Sequence, residues 1–444
     1  MKAIIFKHIR IATAVLVTAL VLGCAGQNDK IAFEYPAEPS VGINYPDVRF
    51  AVISDLHLYH SSLGTTGAAF EKAMSSDRKL LLDGIDLVDM ATDIIVDSDV
   101  SFVLISGDLT KDGELINHEL AAAKLKALTD AGISVYVVPG NHDINNPDAV
   151  SYSGDSTLPV PSVSMEDFAR IYGDFGYNMA LMRDDDSLSY VAEPIEGLWL
   201  LALDACRYRE NVPGERGIVG GKISQRTADW IATALQIAIR ENKAVIALMH
   251  HGVVEHWKGQ SKLHPNYLVE GYGDFGRFLA SYNVRMVFTG HYHAQDITLA
   301  RFGDKYIYDI ETGSLVTAPC PIRYVKFTNK NVNIATETIA EKLHPGTDFA
   351  DNASAFVKKI VVHEAHSTLK KYKASDKDAD YIADFVGDAF IAHYTGDENT
   401  ALRQTFSKSR LGPWGRVIYS QFIYVLDGLW NDLEPADNAA GFGL

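Results

Sequence analysis

Three cysteines in 444 residues are too few for a disulfide framework of the kind that stabilises small secreted domains. Cys206 and Cys320 stand in apolar stretches, which favours buried, unreactive thiols, with a single disulfide bond as the alternative. Basic residues are also scarce, since 40 Lys and Arg against 57 Asp and Glu give a formal net charge of −17. This charge argues against a general binder of nucleic-acid backbones, which needs a basic face.

Long apolar runs are scarce as well. One stands near the start, from Ile11 to Leu22, behind three basic residues. It is too short for a confident transmembrane helix and is typical of an export signal. The tetrapeptide Val21–Cys24 resembles the bacterial lipobox, in which the cysteine carries a lipid. We therefore expect a lipoprotein signal peptide over 1–23 and a membrane anchor on Cys24; an uncleaved anchor or an ordinary signal peptide is the alternative.

The remaining chain divides by its residue pattern. Residues 24–45 carry Pro, Gly and polar residues without periodicity, as a tether would. Over 46–345, short strand-like runs alternate with longer helical patterns, which predicts an α/β fold with helices on both faces of the sheet. The runs are "RFAVIS", "VSFVLIS", "SVYVVP", "LWLLAL", "AVIALM" and "VRMVFT", and the helical patterns cover Ala68–Val96, Asn117–Ala131 and Ser224–Glu241. Helical spacing of apolar residues predicts a small helical domain over 346–444.

Polar side chains that can bind metals follow five of these runs, at the point where each predicted strand ends. They are Asp55 and His57, Gly107-Asp108, Gly140-Asn141-His142-Asp143, His250-His251, and Gly290-His291-Tyr292-His293. Each motif alone is more often a turn or a packed residue than a site. Because the carboxyl ends of the strands form the ligand-binding edge of an α/β sheet, the five motifs together predict one site.

The series D-x-H, G-D, G-N-H-D, H and G-H-x-H resembles the calcineurin-like metallophosphoesterases over residues 48–330. The resemblance implies a four-layer sandwich, in which two mixed β-sheets are flanked by helices. The segments "GDLTKDGELINHE" and "ETGSLVTAPCP", together with the helical C-terminal part, resemble more narrowly the class III cyclic-nucleotide phosphodiesterases.

The same resemblance implies a dinuclear metal site. Its ligands fall on Asp55, His57 and His293 for one metal and on Asn141, His250 and His291 for the other, with Asp108 bridging both. His250 is preferred to His251 because the family's ligand directly follows the strand. Mixed imidazole and oxygen ligands suit Mn, Fe or Zn better than calcium.

His142 receives no metal in this assignment. The resemblance directs its side chain at the phosphate, where it would stabilise developing charge or protonate the leaving oxygen as a catalytic residue. Asp143 is the second catalytic candidate, as a partner that holds the His142 imidazole or a nearby ligand. A carboxylate that only stabilises the turn is an equally good interpretation of Asp143.

Two weaker features have structural and functional interpretations of equal weight. His118 stands near the start of a predicted helix and is expected either at the rim of the site or in solvent. The loop 252–276 offers Trp257 and Tyr267, either to stack on a substrate base or to pack in the core.

These features predict an exported, lipid-anchored phosphodiester hydrolase in which a hydroxide bridging two metals attacks phosphorus. Cyclic nucleotides or related extracytoplasmic phosphodiesters are the leading small-molecule substrates, and no nucleic-acid polymer is expected. Phospholipid or sphingomyelin-type diesters and phosphomonoesters are the alternatives. A non-catalytic surface lipoprotein that only binds a ligand is the remote alternative, because every metal-binding motif is present.

Overall fold

The computed structural model describes residues 31–36, 44–328 and 330–444. The predicted signal peptide, Cys24 and most of the predicted tether lie outside the described residues. Within the described ranges, no helix is both long enough and apolar enough to cross a bilayer. Cys206 and Cys320 are both free thiols.

Two β-sheets form the centre of the fold. The strands are β1 (Val48–Ile53), β2 (Phe102–Ile105), β3 (Ser134–Val137), β4 (Val150–Ser153), β5 (Ser156–Pro159), β6 (Met182–Arg183), β7 (Tyr190–Ile195), β8 (Leu198–Leu203), β9 (Ala244–Met249), β10 (Met286–Thr289), β11 (Asp296–Phe302), β12 (Lys305–Glu311), β13 (Pro321–Thr328), β14 (Asn331–Thr338) and β15 (Ala439–Gly443). The first sheet has the order β15-β14-β13-β1-β2-β3 and the second the order β11-β12-β10-β9-β8-β7-β6. A separate hairpin pairs β4 with β5.

Helices cover the outer faces of the sheets and fill the C-terminal part. They are α1 (Ala68–Met74), α2 (Gly84–Val96), α3 (Leu115–Asp130), α4 (Met165–Ile171), α5 (Gln225–Arg240), α6 (Gln260–Leu263), α7 (Tyr272–Ser281), α8 (Ala340–Leu343), α9 (Phe349–Lys371), α10 (Asp376–Thr395) and α11 (Pro413–Leu429). Helix α3 packs on β3, and helices α5 and α7 pack on β9 and β12.

The inner faces of the two sheets pack on each other through aromatic rings. The Phe50 ring of the first sheet lies 4.6 Å from that of Phe102 and 5.4 Å from that of Phe288 in the second sheet. With helices outside both sheets, the fold is the four-layer sandwich that the sequence predicts, and that prediction is confirmed.

The carboxyl ends of the parallel strands lie side by side. Strands β1, β2 and β3 run parallel in the first sheet, as do β8, β9, β10 and β12 in the second. The Ser106 hydroxyl, just beyond β2, donates to the Thr289 carbonyl at the end of β10 over 3.1 Å. This bond joins the strand ends of the two sheets, so the loops that follow them converge in space.

The predicted helix over Ala68–Val96 is two helices. Residues 75–83 separate α1 from α2, and there the amide of Leu80 donates to the carbonyl of Val316 over 2.7 Å instead of to the preceding turn. Serine and aspartate, which compete for backbone hydrogen bonds, open this break. Arg78 therefore lies in the loop between α1 and α2 and not in a helix.

The C-terminal segment contains three long helices, α9, α10 and α11, and then returns to the first sheet. Strand β15 pairs antiparallel with β14, and its Phe442 stacks on Tyr308 with ring centroids 3.9 Å apart. The sequence pattern does not predict β15, because its Ala and Gly residues are depleted in strands. The chain from Phe33 to Leu444 forms one compact unit.

Candidate metal centre

The candidate ligands stand on backbone that non-glycine residues rarely adopt. Five of them have positive φ angles, at Asp55 (51°), His57 (38°), Asp108 (49°), His291 (78°) and His293 (69°). Such backbone costs roughly 1–3 kcal/mol for each residue and persists where the surrounding structure enforces it, often at functional sites. The fold therefore imposes the directions in which these side chains leave the strands.

Glycines beside the ligands allow the strand ends to approach each other closely. A Cβ atom at Gly140 would lie 2.1 Å from Asp108 Oδ1, and one at Gly290 would lie 2.5 Å from Asp55 Oδ2. Real Cβ atoms essentially never approach other atoms within 3.0 Å. A side chain at either position would push the neighbouring carboxylate out of place.

Asp55, His57 and His293 form the first ligand cluster. Asp55 Oδ1 lies 3.7 Å from His57 Nε2 and 3.3 Å from His293 Nε2, and the two imidazole nitrogens are 3.3 Å apart. This carboxylate oxygen is buried and accepts no hydrogen bond from any described residue. A cation between the three atoms would satisfy it, because buried polar atoms are normally paired.

Asp108, Asn141, His250 and His291 form the second cluster. His250 Nε2 lies 3.3 Å from Asp108 Oδ2 and 3.2 Å from Asn141 Oδ1. Possible ligand atoms of Asp108, His250 and His291 all fall within 4.8 Å of one another. Asp108 Oδ2 also lies 3.6 Å from His57 Nε2. One carboxylate oxygen thus stands between the two clusters, where a bridging ligand belongs.

Backbone and hydroxyl oxygens fix the imidazole rings through their second nitrogens. The Nδ1 atom of His250 lies 2.7 Å from the Ser106 carbonyl, and that of His57 lies 3.3 Å from the Thr110 carbonyl. In His291 it is Nε2 that lies 3.3 Å from a carbonyl oxygen. Such partners set the tautomer and direct the other nitrogen at a metal. The donor set therefore fits two divalent transition-metal ions.

Burial and the carboxylates set the protonation of these rings. Burial lowers the pKa of His57 and of His291 well below the ordinary value, so both rings are neutral and able to bind metal at pH 7. Burial also opposes protonation of His250, but the carboxylates of Asp108 and Asp55 raise its pKa to about 9. A metal ion at this position would displace that proton, because a histidine ligand must be neutral.

His142 lies at the edge of both clusters and is held by Asp112. Its backbone amide donates to Asp108 Oδ1 over 2.9 Å, and its Nδ1 lies 2.8 Å from Asp112 Oδ1. Burial and Lys79 lower the pKa of His142, but Asp108 and Asp112 outweigh them and raise it. A nitrogen of His142 also lies within 4.8 Å of ligand atoms of His57 and Asp108. The imidazole is thus close enough to the clusters for either a metal or a substrate phosphate.

Asp112 is a residue that the sequence reasoning missed. It is buried, and its other carboxylate oxygen contacts the ammonium of Lys111. Burial opposes its ionisation, but Lys111 and His142 hold the pKa of Asp112 below the ordinary value. In the sequence, only its place four residues after Asp108 in "GDLTKDGE" indicates that Asp112 could lie near the site. The direction of its carboxylate toward His142 is seen only in the folded loop.

Asp143 holds the backbone of the site and does not touch the His142 ring. Its carboxylate accepts hydrogen bonds from the amides of Leu109, Thr110 and Gly140 at 2.9–3.1 Å, and from the Thr110 hydroxyl. Burial and Asp108 raise its pKa to about 7. The side chain therefore ties the loop of Asp108 to the loop of Asn141, and Asp112 takes the place beside the imidazole.

His251 packs against His291, with ring centroids 4.6 Å apart, but among the described residues it belongs to neither ligand cluster. Its Nε2 lies 2.9 Å from the Val219 carbonyl, and burial followed by the charge of His250 lowers its pKa to about 3. In the loop that follows, Trp257 is fully buried, whereas the part-exposed Tyr267 ring lies 4.5 Å from the ring of His291. Only Tyr267 of these two aromatics reaches the site.

His118 occupies neither of its two expected positions. It is fully buried, with Nδ1 2.9 Å from the Tyr172 hydroxyl and Nε2 2.7 Å from the Asp143 carbonyl. Burial lowers its pKa to about 4. The helix α3 therefore supports the metal centre from behind through this neutral ring.

The sequence matches the model of the calcineurin-like phosphoesterase family over residues 48–295, more than half of the chain. The chain belongs to that family. The matched range contains all five strand ends that carry the candidate ligands. The family is one of phosphoesterases, and the two ligand clusters are where divalent ions would bind in this chain.

Individual relatives are more distant. The uncharacterized metallophosphoesterase-like protein YydB of Bacillus subtilis (strain 168) is 30% identical over 120 residues, which are 26% of this chain and 22% of YydB. A dimetal phosphatase from Danio rerio shares 16% identity and covers 66% of this chain and 97% of its own, with a TM-score of 0.47. The sulfate thiohydrolase SoxB of Thermus thermophilus shares 14% identity over 73% of this chain and 62% of its own, with a TM-score of 0.35. Family membership therefore rests on the match over 48–295.

Proposed function

We propose that this metallophosphoesterase hydrolyses phosphodiesters, and that its substrates are cyclic nucleotides or related extracytoplasmic diesters. One observation carries the two-metal hydrolysis in this proposal: a single oxygen of Asp108 lies 3.6 Å from the first cluster at His57 and 3.3 Å from the second at His250. When bound, two divalent ions supply Lewis acidity toward phosphate oxygens and a hydroxide at neutral pH. The chain itself binds the ions, orients the phosphate and moves the proton.

We assign to His142 the role of protonating the leaving oxygen. Asp112 holds its Nδ1, and no hydrogen bond from a described residue engages its Nε2. That nitrogen is therefore left for the substrate, where a protonated imidazole can give its proton to the departing oxygen. Asp143 positions this motif through the backbone.

A hydrolysis panel tests the diesterase assignment. Protein reconstituted with Mn, Fe or Zn is given an aryl phosphodiester, an aryl phosphomonoester, 2′,3′- and 3′,5′-cyclic nucleotides and a phospholipid. We expect the diester to be turned over faster than the monoester, and His57→Ala to abolish both activities. The half-buried His60, three residues further on, contacts Ser62 through its ring and is the matched control, so His60→Ala should keep wild-type rates. Faster monoester turnover would make the protein a phosphomonoesterase.

Metal analysis separates this proposal from the non-catalytic alternative. After reconstitution with Mn or Zn, the wild-type chain should hold two ions, and His57→Ala should hold fewer. A chain that holds none would be a binding lipoprotein that has kept only the fold.

We also propose that the protein is exported and anchored by a lipid on Cys24, which would confine it to extracytoplasmic substrates. Cells that express the full chain should incorporate an alkyne-labelled fatty acid into it, and Cys24→Ser should lose the label. A matched Cys206→Ser variant should keep the label, because Cys206 packs beside the Pro139 carbonyl inside the fold. Equal labelling of the wild type and Cys24→Ser would overturn this part.

A further inference from the structure

Three buried side chains that can bind a metal lie together outside the metal centre. Asp296 opens β11, His393 lies in the last turn of α10, and Glu398 follows in the next loop. All three are buried, and their possible ligand atoms lie within 4.8 Å of one another. These three residues, which we call the α10 site, share no member with the two ligand clusters. They connect the phosphoesterase core to the C-terminal helices.

The Nδ1 atom of His393 faces both carboxylates of the α10 site. It lies 2.6 Å from Glu398 Oε1 and 3.7 Å from Asp296 Oδ2. The Glu398 side chain is only 2% exposed, and its Oε2 accepts no hydrogen bond from any described residue. Buried polar atoms normally have a partner, and a cation bound to both Glu398 oxygens would be one.

Partners behind Asp296 fix the direction of its carboxylate. Asp296 Oδ1 accepts a hydrogen bond from the Thr298 hydroxyl over 2.8 Å and lies 2.7 Å from His256 Nδ1. Oδ2 is therefore the oxygen that is turned to His393. Metal-binding carboxylates are commonly oriented by hydrogen-bond partners of this kind. The His256 ring does not serve Asp296 alone, because its Nε2 also lies 3.5 Å from Asp309 Oδ1.

No strong cation balances the two carboxylates. Among the described residues, no Lys or Arg lies within 4.0 Å of Asp296 or Glu398 as an ion-pair partner. The buried Arg323 reaches this region, but it donates to the backbone carbonyls of Glu311 and Asp437, over 2.7 and 2.6 Å. Carboxylates taken out of water need a paired charge or a metal ion.

Neighbouring carboxyl groups show the same excess of negative charge. Burial followed by the charge of Asp296 raises the pKa of Asp437 to about 9. Burial followed by the charges of Glu398 and Asp296 raises the pKa of Asp432 to about 7. Ionisation of either group would add a further negative charge to the region. A divalent cation at the α10 site would offset two of these charges.

We propose that Asp296, His393 and Glu398 bind one zinc ion, which fastens α10 to β11. Both oxygens of Glu398, Oδ2 of Asp296 and Nδ1 of His393 would provide four ligand atoms, the number that structural zinc sites take. Calcium, which prefers all-oxygen shells, fits this donor set less well. The ion replaces the proton between His393 Nδ1 and Glu398 Oε1, and this proton passes to solvent. The two carboxylates then neutralise both charges of the ion.

The α10 site lies close along the chain to the metal centre. Asp296 stands three residues beyond the candidate ligand His293, and the Gln295 amide donates to the Tyr394 carbonyl over 3.3 Å. The zinc ion holds this part of the chain against α10. Because its ligands are buried, the ion is retained through chelation, and it is counted apart from the two ions that reconstitution returns to the ligand clusters.

Zinc retention tests the proposal in a chain that carries His57→Ala and His250→Ala, which removes one imidazole from each ligand cluster. This parent protein is produced in medium that contains zinc, dialysed against EDTA and analysed for metal. We expect one zinc ion per chain, and none when Glu398→Gln is added. Glu434→Gln, at an exposed carboxylate of the same C-terminal segment, is the matched control and should keep the ion. No zinc in the parent, or equal zinc in all three proteins, would overturn the proposal.

Thermal unfolding gives a second measurement, in case Glu398→Gln fails to fold. The parent is unfolded and refolded in EDTA to remove the enclosed ion, and its melting is followed with and without added zinc. Zinc should raise the Tm by about 5 °C in the parent and in Glu434→Gln, and not in His393→Gln. An equal rise in the parent and His393→Gln, or no rise in the parent, would refute the site. Both measurements are made with the catalytic clusters disabled, so a failure of the diesterase assignment would not affect them.

Discussion

Asp112→Asn isolates the role of the carboxylate beside His142. Asp112 Oδ1 lies 2.8 Å from His142 Nδ1 in a buried loop. A hydrogen bond to a charged group contributes about 1.5–3 kcal/mol, and each 1.36 kcal/mol corresponds to a factor of ten in rate. If Asp112 holds the protonated imidazole in the transition state, the Asn variant should lose roughly 10- to 150-fold in kcat on an aryl phosphodiester with little change in KM.

A double-mutant cycle is the assay that assigns this loss to His142. In a His142→Ala background, Asp112→Asn should change kcat by no more than twofold, because the partner through which it acts is gone. Asp89→Asn, which removes a surface partner of Lys124, is the control and should leave kcat unchanged in both backgrounds. Equal losses in both backgrounds, or release of metal by Asp112→Asn, would refute this role.

Two further outcomes follow from the backbone and the buried rings. Gly140→Ala should weaken metal binding about 10- to 100-fold in a metal titration, because its Cβ would lie 2.1 Å from Asp108 Oδ1. The control is Gly273→Ala, where a Cβ meets nothing within 4 Å, and this variant should bind metal normally. Unchanged metal affinity of Gly140→Ala would contradict the clash. Burial lowers the pKa of His118 in the folded protein to about 4, so the unfolded chain takes up this proton at a higher pH than the folded protein does. The contribution of the neutral ring to the free energy of unfolding is therefore fully present above about pH 6.5 and is lost as the pH falls toward 4. Urea unfolding of the metal-free protein should lose about 1 kcal/mol more between pH 7 and pH 5.5 in the wild type than in His118→Gln; equal losses would show that this ring is not neutral in the fold.

The architecture was predictable because its signals are local. The six strand-like runs all become buried strands, and helix α5 begins one residue after the predicted start, with the Ser224 side chain accepting from the Thr227 amide as its cap. The candidate ligands follow strand ends, and parallel strands must bring such ends to one edge. Their convergence therefore follows from topology without any knowledge of side-chain packing.

The remaining features depend on contacts between distant segments. The break before α2 is set by the hydrogen bond of Leu80 to Val316, and β15 forms because β14 offers it an edge. The spacing of apolar residues along the sequence predicts neither the break before α2 nor the strand β15. The pairing of Asp112 with His142 needs the direction of a loop side chain, and the burial of Trp257 needs the position of the C-terminal helices.

The metal content of His142→Ala, set against that of Asn141→Ala, tests the central claim most directly. Both residues lie beside Asp108 in one loop, and the structure places both close enough to a cluster to be ligands. After reconstitution with Mn or Zn and removal of free ions, elemental analysis should find two ions per chain in His142→Ala with a greatly reduced rate. Asn141→Ala should hold about one. Loss of an ion from His142→Ala would make His142 a ligand and contradict its assignment to the substrate.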